Sequence, residues 1–154
     1  MVNFDYQTPT RLIFGKGVVS EKLASVMNQY GKRVLITYGG GSIKRTAPGH
    51  DKSLYDLVKD TLTDKQVFEL GGIQPNPKFN PSVLDGVRMC QDNDIDVILA
   101  VGGGSVLDCT KAIAGVAGTL KTKVTDNVEE AWDIVCGRKP TTAAVPILSL
   151  IHIS

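Results

Sequence analysis

The chain has 154 residues, of which 42% are hydrophobic, and its 17 basic and 16 acidic side chains give a formal net charge of +1. This composition is typical of one globular domain with a buried core. The charges nearly cancel, and no apolar run approaches the roughly 20 residues that span a bilayer. We therefore expect neither nucleic acid nor a membrane as a partner.

Three cysteines, Cys90, Cys109 and Cys136, are odd in number and lack C-x-x-C spacing, so neither a disulfide framework nor a zinc cluster is predicted. Cys90 and Cys109 fall on apolar faces of predicted helices, where a small side chain fills a core. The first residues lack the apolar segment of a signal peptide. We expect a cytoplasmic protein.

The predicted elements begin with two alternating segments, Asn3–Gln7 and Arg11–Phe14, which favour a β-hairpin. Apolar spacing predicts a helix over Val18–Tyr30, ended by Gly31. The β-branched run Val34–Tyr38 predicts a strand that ends in a glycine turn.

The middle of the chain continues this alternation. Ile43–Ser53 is loop-like, an apolar stripe from Leu54 to Leu62 predicts the next helix, and Gln66–Leu70 predicts a strand. A further helix is predicted at Asn80, which is suited to cap it, with Pro81 at the first helical position.

The last part is dominated by a strand, a glycine turn and a helix. Val97–Val101 is continuously apolar, as in a parallel strand covered on both faces, and Val106–Val116 has helical spacing. A short helix at Glu129–Val135 and a strand at Thr142–Ile147 follow. Strands that alternate with helices predict an α/β fold, with a parallel sheet and flanking helices.

Two GGGS turns, at 39–42 and 102–105, each follow an apolar strand. Glycine lets the backbone approach an anion closely, and the free N–H groups and dipole of a following helix attract phosphate. A tight turn without a ligand is the alternative, since this is not the G-x-G-x-x-G fingerprint. The predicted phosphate site consists of Gly102, Gly103, Gly104, Ser105 and Asp108.

The first turn would then hold the adenosine end of a nucleotide. Segment 37–46 contains no acid to meet a ribose 2′-hydroxyl, but it contains Ser42, Lys44 and Arg45. Such a loop favours the 2′-phosphate of NADP over NAD. The alternative is a solvated loop in which Lys44 and Arg45 bind nothing.

Five segments of the chain together form the pattern of one enzyme family. They are TPTRLIFGKG at 8–17, VLITYGGGSIKR at 34–45, GGIQPNP at 71–77, IDVILAVGGGSVLDCTKAIA at 95–114 and AWDIVCG at 131–137. This pattern resembles the iron-dependent alcohol dehydrogenases, and among them the butanol dehydrogenase-like branch. The resemblance implies a Rossmann-like N-terminal domain similar to that of dehydroquinate synthase, a helical C-terminal domain that is missing here, and reversible hydride transfer between NAD(P)H and an aldehyde or ketone.

The resemblance also assigns positions to the cofactor. Asn76 matches an asparagine near the cofactor, or else simply stiffens a turn. Asp108 and Lys111 complete a GGGSxxDxxK pattern, or else form a surface ion pair at three-residue spacing. The matching positions are Gly39, Gly40 and Ser42 for the adenosine ribose, Asn76, and Gly102, Gly103, Gly104, Ser105 and Asp108 for the pyrophosphate.

The implied metal, Fe(II) or Zn(II), would be bound by an aspartate and three histidines of the helical domain. This chain has two histidines, His50 and His152, and a catalytic metal needs about three protein ligands. We expect no catalytic residue and no metal ligand here, and a chain that binds NAD(P) but is inactive alone. The alternatives are a free-standing nucleotide- or phosphate-binding module without redox activity, and a polyol or glycerol-phosphate dehydrogenase-like enzyme.

The boundaries of the domain follow from the last residues. The letters LSLIHIS at 148–154 resemble a translated transposon-end adaptor used in sequencing libraries. We expect 1–147 to be a truncated dinucleotide-binding domain and 148–154 to be non-native. In the full-length enzyme, the free edge of the opening hairpin would allow two copies to pair as a homodimer.

Overall fold

A four-stranded parallel sheet forms the centre of the structure, a computed structural model that describes residues 8–151. The strand order is β2-β1-β3-β4, and all three strand pairs are parallel. This confirms the predicted α/β fold. The strands are β1 (Arg33–Tyr38), β2 (Gln66–Leu70), β3 (Val97–Val101) and β4 (Ile147–Leu150).

Helices cover both faces of this sheet because its central strands are apolar on both sides. Every residue of β3 is buried, and so are five of the six in β1. The helices α1 and α2 pack on the face of Ile36 and Leu99, and α3, α4 and α5 pack on the face of Leu35 and Ile98. The helices are α1 (Val18–Met27), α2 (Leu54–Thr61), α3 (Leu84–Asp92), α4 (Gly104–Thr119) and α5 (Val128–Val135).

Two helices begin where local side chains cap them. Ser53 accepts a hydrogen bond from the Asp56 N–H at 3.1 Å, and the Asp56 carboxylate in turn accepts from the Ser53 N–H, so α2 begins in a capping box. The Asn127 side chain accepts from the Glu130 N–H at 3.3 Å at the start of α5. None of the described helices is long and apolar enough to cross a membrane.

The second segment of the predicted opening hairpin does not form a strand. Arg11–Phe14 contains no strand, and Leu12 and Phe14 are 85% and 83% exposed. A strand needs a hydrogen-bonded neighbour, and none of the described strands pairs with this segment. The first segment, Asn3–Gln7, lies outside the described residues, so pairing of two copies through a hairpin edge stays a prediction.

The end of α1 and the start of α3 differ from the predicted boundaries, and the boundaries of the other helices differ by at most three residues. The helix α1 ends at Met27, and the chain then turns so that the Tyr30 N–H donates to the Met27 carbonyl at 3.1 Å. Ahead of α3 the chain winds as a π-helical turn, Phe79–Val83. Asn80 has the extended backbone favoured before proline, but among the described residues its side chain accepts no backbone hydrogen bond, so it is not the predicted cap.

The last strand is displaced from its predicted position. The sequence predicts it at Thr142–Ile147, whereas β4 lies at Ile147–Leu150. Residues 142–145 follow α4 instead of joining the sheet, and the Val145 N–H donates to the Ala114 carbonyl at 3.1 Å. The strand therefore includes three residues of segment 148–154.

A buried pair of hydroxyl groups connects β1 to α4. Thr37 and Thr110 are both fully buried, and their Oγ1 atoms are 2.6 Å apart. The Thr110 hydroxyl donates to the Val106 carbonyl at 2.7 Å, so the Thr37 hydroxyl donates to Thr110. The pair sets how α4 lies against the strand that precedes the first glycine turn.

We expect the substitution Thr110→Val to lower the free energy of unfolding by about 1–3 kcal/mol, because it leaves the buried Thr37 hydroxyl without its acceptor. Urea denaturation followed by circular dichroism measures this loss. The double variant Thr37→Val/Thr110→Val, which removes both hydroxyls, should be more stable than the single variant. A double variant that is less stable than the single variant would contradict the cost assigned to an unpaired buried hydroxyl.

Candidate functional site

The two glycine turns lie side by side at the carboxyl edge of the sheet. In the parallel register Tyr38 pairs with Val101, so Gly39 and Gly102 leave neighbouring strands at the same level. From β1 the chain crosses to β2 on one side, whereas β3 lies on the other side, so the strand order reverses between β1 and β3. Open α/β sheets bind ligands at this kind of switch point, beyond the carboxyl ends of the strands.

The second turn presents backbone donors that no described residue accepts from. The helix α4 begins at Gly104, with Gly103 as its N-cap residue. The first intrahelical donor is the Leu107 N–H, which bonds to the Gly103 carbonyl at 3.1 Å. Within the described part of the chain, the N–H groups of Gly104, Ser105 and Val106 have no hydrogen-bond acceptor. These three donors and the positive end of the helix dipole form an anion site.

The glycines of both turns border open space. A Cβ atom added at Gly40, Gly41, Gly103 or Gly104 would meet no described atom within 4 Å. The fold itself therefore does not require glycine at these four positions, and the space stays open for a ligand. Gly102 is different: its φ is 155°, and an added Cβ would lie 2.9 Å from Val106 Cγ2, so the backbone here requires glycine.

The first turn winds into a short 3₁₀-helix, Gly41–Lys44, that overlaps the start of the predicted loop. The Ser42 side chain in this helix is exposed. Just before the helix, the Gly39 carbonyl accepts a hydrogen bond from the Gly72 N–H at 2.8 Å. This bond brings the chain after β2 to the same edge of the sheet. A turn with exposed donors beside open glycines has the features that the ribose end of a nucleotide requires.

A cluster of two tyrosines, a lysine and a glutamate lies next to the first turn. The Lys44 ammonium group is 5.0 Å from the centre of the Tyr38 ring and 4.6 Å from that of Tyr55. Both hydroxyls donate to the Glu69 carboxylate, at 3.1 Å from Tyr38 and 2.8 Å from Tyr55. Lys59 donates to the same carboxylate at 3.0 Å. We call Tyr38, Tyr55 and Glu69 the tyrosine cage.

The Glu69 carboxylate stays ionised within this cage. Partial burial raises the pKa of Glu69, but the hydrogen bonds from Lys59 and the two tyrosines outweigh burial and leave the pKa below its usual value. The bond to Glu69, followed by burial, raises the pKa of Tyr55. A negative charge is therefore fixed beside the first glycine turn at neutral pH.

Two other predicted site residues are exposed. Asn76 has φ 55°, a left-handed conformation that asparagine tolerates, in the bend that follows β2. The Asp108 side chain is 75% exposed on α4, and its carboxylate lies 3.9 Å from the Lys111 ammonium group. Asp108 and Lys111 therefore form an ion pair on the surface of α4. A role of either residue in binding a ligand stays a prediction.

The remaining reactive groups lie away from the turns or are buried. Burial raises the pKa of Cys90 to about 12 and that of Cys109 to about 11, so both thiols stay protonated and fill the core as predicted. The described residues contain no group of three or more His, Cys, Asp or Glu side chains placed to bind a metal. Two open hollows around Arg33 and Asp96 lie at the opposite, amino-end edge of the sheet.

Residues Thr37, Thr110, Tyr55 and Glu69 were not predicted from the sequence as parts of this region. Thr37 and Thr110 lie 73 residues apart, and a threonine on an apolar face carries no signal of its partner. Glu69 is an acid within the otherwise largely apolar strand β2, and this unusual position was the feature of the sequence that could have indicated a role for it.

A parallel sheet with open glycine turns at its switch point is typical of nucleotide-binding α/β proteins. The family model "Iron-containing alcohol dehydrogenase" matches residues 9–153. The chain is 44% identical over 156 residues to the probable NADH-dependent butanol dehydrogenase 1 of Bacillus subtilis, covering 100% of this chain and 36% of that protein. It is 38% identical to the NADPH-dependent aldehyde reductase YqhD of Escherichia coli, covering 96% and 34%.

A solved structure agrees with these relatives. The NADH-dependent butanol dehydrogenase A of Thermotoga maritima superposes with a TM-score of 0.80 at 33% identity, over 99% of this chain and 35% of that one. The chain belongs to the iron-containing alcohol dehydrogenase family, which confirms the resemblance. It spans about a third of the length of these relatives.

We expect Gly104→Ala to weaken dinucleotide binding at least tenfold while leaving stability unchanged or slightly higher. The added methyl group enters open space beside the free amides, and alanine is the better helix former. Fluorescence titration with NADH and thermal unfolding measure the two effects.

The matched control is Gly86→Ala in α3, whose Cβ would lie 2.3 Å from Ile113 Cδ1. This variant should lose about 1–3 kcal/mol of stability through overpacking. Equal effects of the two variants on NADH binding would contradict a ligand at the second turn.

Proposed function

We propose that this chain binds NAD(P) as the dinucleotide-binding part of a metal-dependent alcohol dehydrogenase or aldehyde reductase. The reaction is reversible hydride transfer between the nicotinamide ring and a small alcohol or aldehyde. The observation that carries the proposal is the set of three N–H groups at the start of α4, at the switch point of the sheet, that have no acceptor among the described residues. Membership in the family supports the redox class.

The residues of the two turns would bind and orient the cofactor. The N–H groups of Gly104, Ser105 and Val106 would bind the pyrophosphate, and the Ser105 hydroxyl adds a donor. Gly39, Gly40 and Ser42 would hold the adenosine ribose. When bound, the cofactor supplies or accepts the hydride, and the chain fixes its orientation through these backbone contacts.

The metal and the substrate pocket belong, in this proposal, to the part of the relatives that the chain does not span. The described residues do not fit a metal site, because they contain no group of three potential ligands. We therefore propose that the chain binds the cofactor but does not catalyse hydride transfer alone. Fe(II) or Zn(II) is expected only in the full-length enzyme.

The choice between NADH and NADPH depends on the first turn. The named relatives differ, since the B. subtilis protein is called NADH-dependent and the E. coli protein NADPH-dependent. Segment 37–46 lacks an acid and contains Lys44 and Arg45, which favours NADP. The contacts of Lys44 with two tyrosine rings oppose this preference.

We also propose a cellular compartment for the protein and a residue range for its dinucleotide-binding unit. The three cysteines are free thiols, as in a protein of the reducing cytoplasm. The dinucleotide-binding unit would comprise residues 1–147, with 148–154 as a non-native tail, of which residues 148–150 lie in β4.

A free-standing nucleotide- or phosphate-binding module is the alternative, because a helix N-terminus binds any phosphate. Titration of the purified chain with NADH, NADPH, ATP and inorganic phosphate separates the two functions. A cofactor domain should bind at least one nicotinamide dinucleotide about tenfold or more tightly than ATP. Equal affinity for ATP and both dinucleotides, or binding of phosphate alone, would establish the module.

A further inference from the structure

The ammonium group of Lys44 is already engaged. It lies within 5.0 Å of the centres of two aromatic rings, Tyr38 and Tyr55, which is inside the range of cation–π attraction. The two rings meet edge to face with their centres 6.0 Å apart, so they present two sides of one pocket to the cation. The neighbouring Tyr38 raises the pKa of Lys44, which keeps the group charged.

Hydrogen bonds to Glu69 hold the two rings of the tyrosine cage in place. Each hydroxyl donates to the Glu69 carboxylate on β2, and Lys59 of α2 donates to it as well. The Tyr38 ring also lies against Gly71, where an added Cβ would come within 2.5 Å of Tyr38 Cε2. The pocket that receives Lys44 is therefore preformed by β1, β2 and α2.

The Glu69 carboxylate weakens the attraction of Lys44 for a phosphate, although Lys59, 3.0 Å from that carboxylate, offsets part of its charge. A phosphate group that approached the ammonium group in its cage would also approach the ionised Glu69 carboxylate, which both tyrosine hydroxyls contact. A ribose with a free 2′-hydroxyl carries no such charge. Lys44 is exposed, and a contact with a 2′-phosphate would compete with its contacts to the two rings.

We propose that the tyrosine cage withdraws Lys44 from the 2′-phosphate position, so that the chain favours NADH over NADPH. The inference rests on the proposed function, because it requires that the first glycine turn hold the adenosine ribose. It reverses the preference for NADP that the composition of segment 37–46 predicts. The cage residues act through Lys44 and are positioning residues.

The variant Tyr55→Leu tests the cage. It removes one ring and one hydrogen bond to Glu69, which frees Lys44 to move toward the ribose. Dissociation constants for NADH and NADPH are measured by fluorescence titration of the full chain. We expect the wild-type chain to bind NADH more tightly, and the variant to shift the NADPH:NADH ratio toward NADPH on the order of fivefold, the strength of an exposed cation–π contact.

Two further variants isolate the charge and the position. Adding Lys44→Met to Tyr55→Leu should abolish the shift, because the released cation is then absent. The matched control Tyr30→Leu, which removes a tyrosine that follows α1 instead, should leave the ratio unchanged. Circular dichroism shows which variants are folded. If Tyr55→Leu does not fold, Tyr55→Phe, which loses only the bond to Glu69, should give a smaller shift in the same direction.

The outcomes separate this inference from the proposed function. A wild-type chain that prefers NADPH, or folded Tyr55 variants with an unchanged ratio, would overturn the inference alone. A shift that persists in the double variant would also overturn it, because the shift would not depend on Lys44. A wild-type chain that binds neither dinucleotide more tightly than ATP would overturn the proposed function, and the inference with it.

Discussion

The amides at the start of α4, which have no acceptor within residues 8–151, are the constraint on which the rest of the site depends. They exist because β3, buried along its whole length, ends in a glycine turn that leads directly into a helix without a capping side chain. Three donors left without an acceptor cost stability unless water or a ligand satisfies them. The Thr37–Thr110 pair and the packing of α4 on the sheet hold these donors beside the first turn.

The two turns have different surroundings, and this difference gives each its own chemistry. The second turn presents backbone donors and has an exposed acid, Asp108, whose carboxylate lies near Lys111. The first turn borders the tyrosine cage, in which two aromatic rings contact Lys44 and the Glu69 carboxylate bonds the hydroxyls of both rings. In the proposed function, a pyrophosphate would bind at the second turn, and selection between ribose and ribose phosphate would depend on how firmly the rings beside the first turn hold Lys44.

Local sequence predicted the elements wherever burial and spacing agree. The strands at Gln66–Leu70 and Val97–Val101 lie as predicted, and the strand at Val34–Tyr38 gains one residue, because their apolar runs end at glycine or charge. Arg11–Phe14 failed as a strand because alternation does not supply a neighbour to pair with. Thr142–Ile147 failed because its early residues bond to α4, a contact that no local pattern encodes.

The candidate site was predictable only where it consists of backbone. The glycine turns stand out in the sequence, and the structure places both at one edge. The tyrosine cage was not predictable, because Tyr38, Tyr55 and Glu69 come from three elements that only the folded sheet brings together. For the same reason Lys44 was treated as a free cation, although its ammonium group lies against two rings.

The most direct test of the site is a titration of the ¹⁵N-labelled chain with NADH, followed by amide chemical shifts in NMR spectra. The account predicts that the largest shifts fall on Gly103, Gly104, Ser105 and Val106 and saturate with a single dissociation constant. Shifts confined to the amino-end hollows around Arg33 and Asp96, with these four amides unchanged, would contradict it.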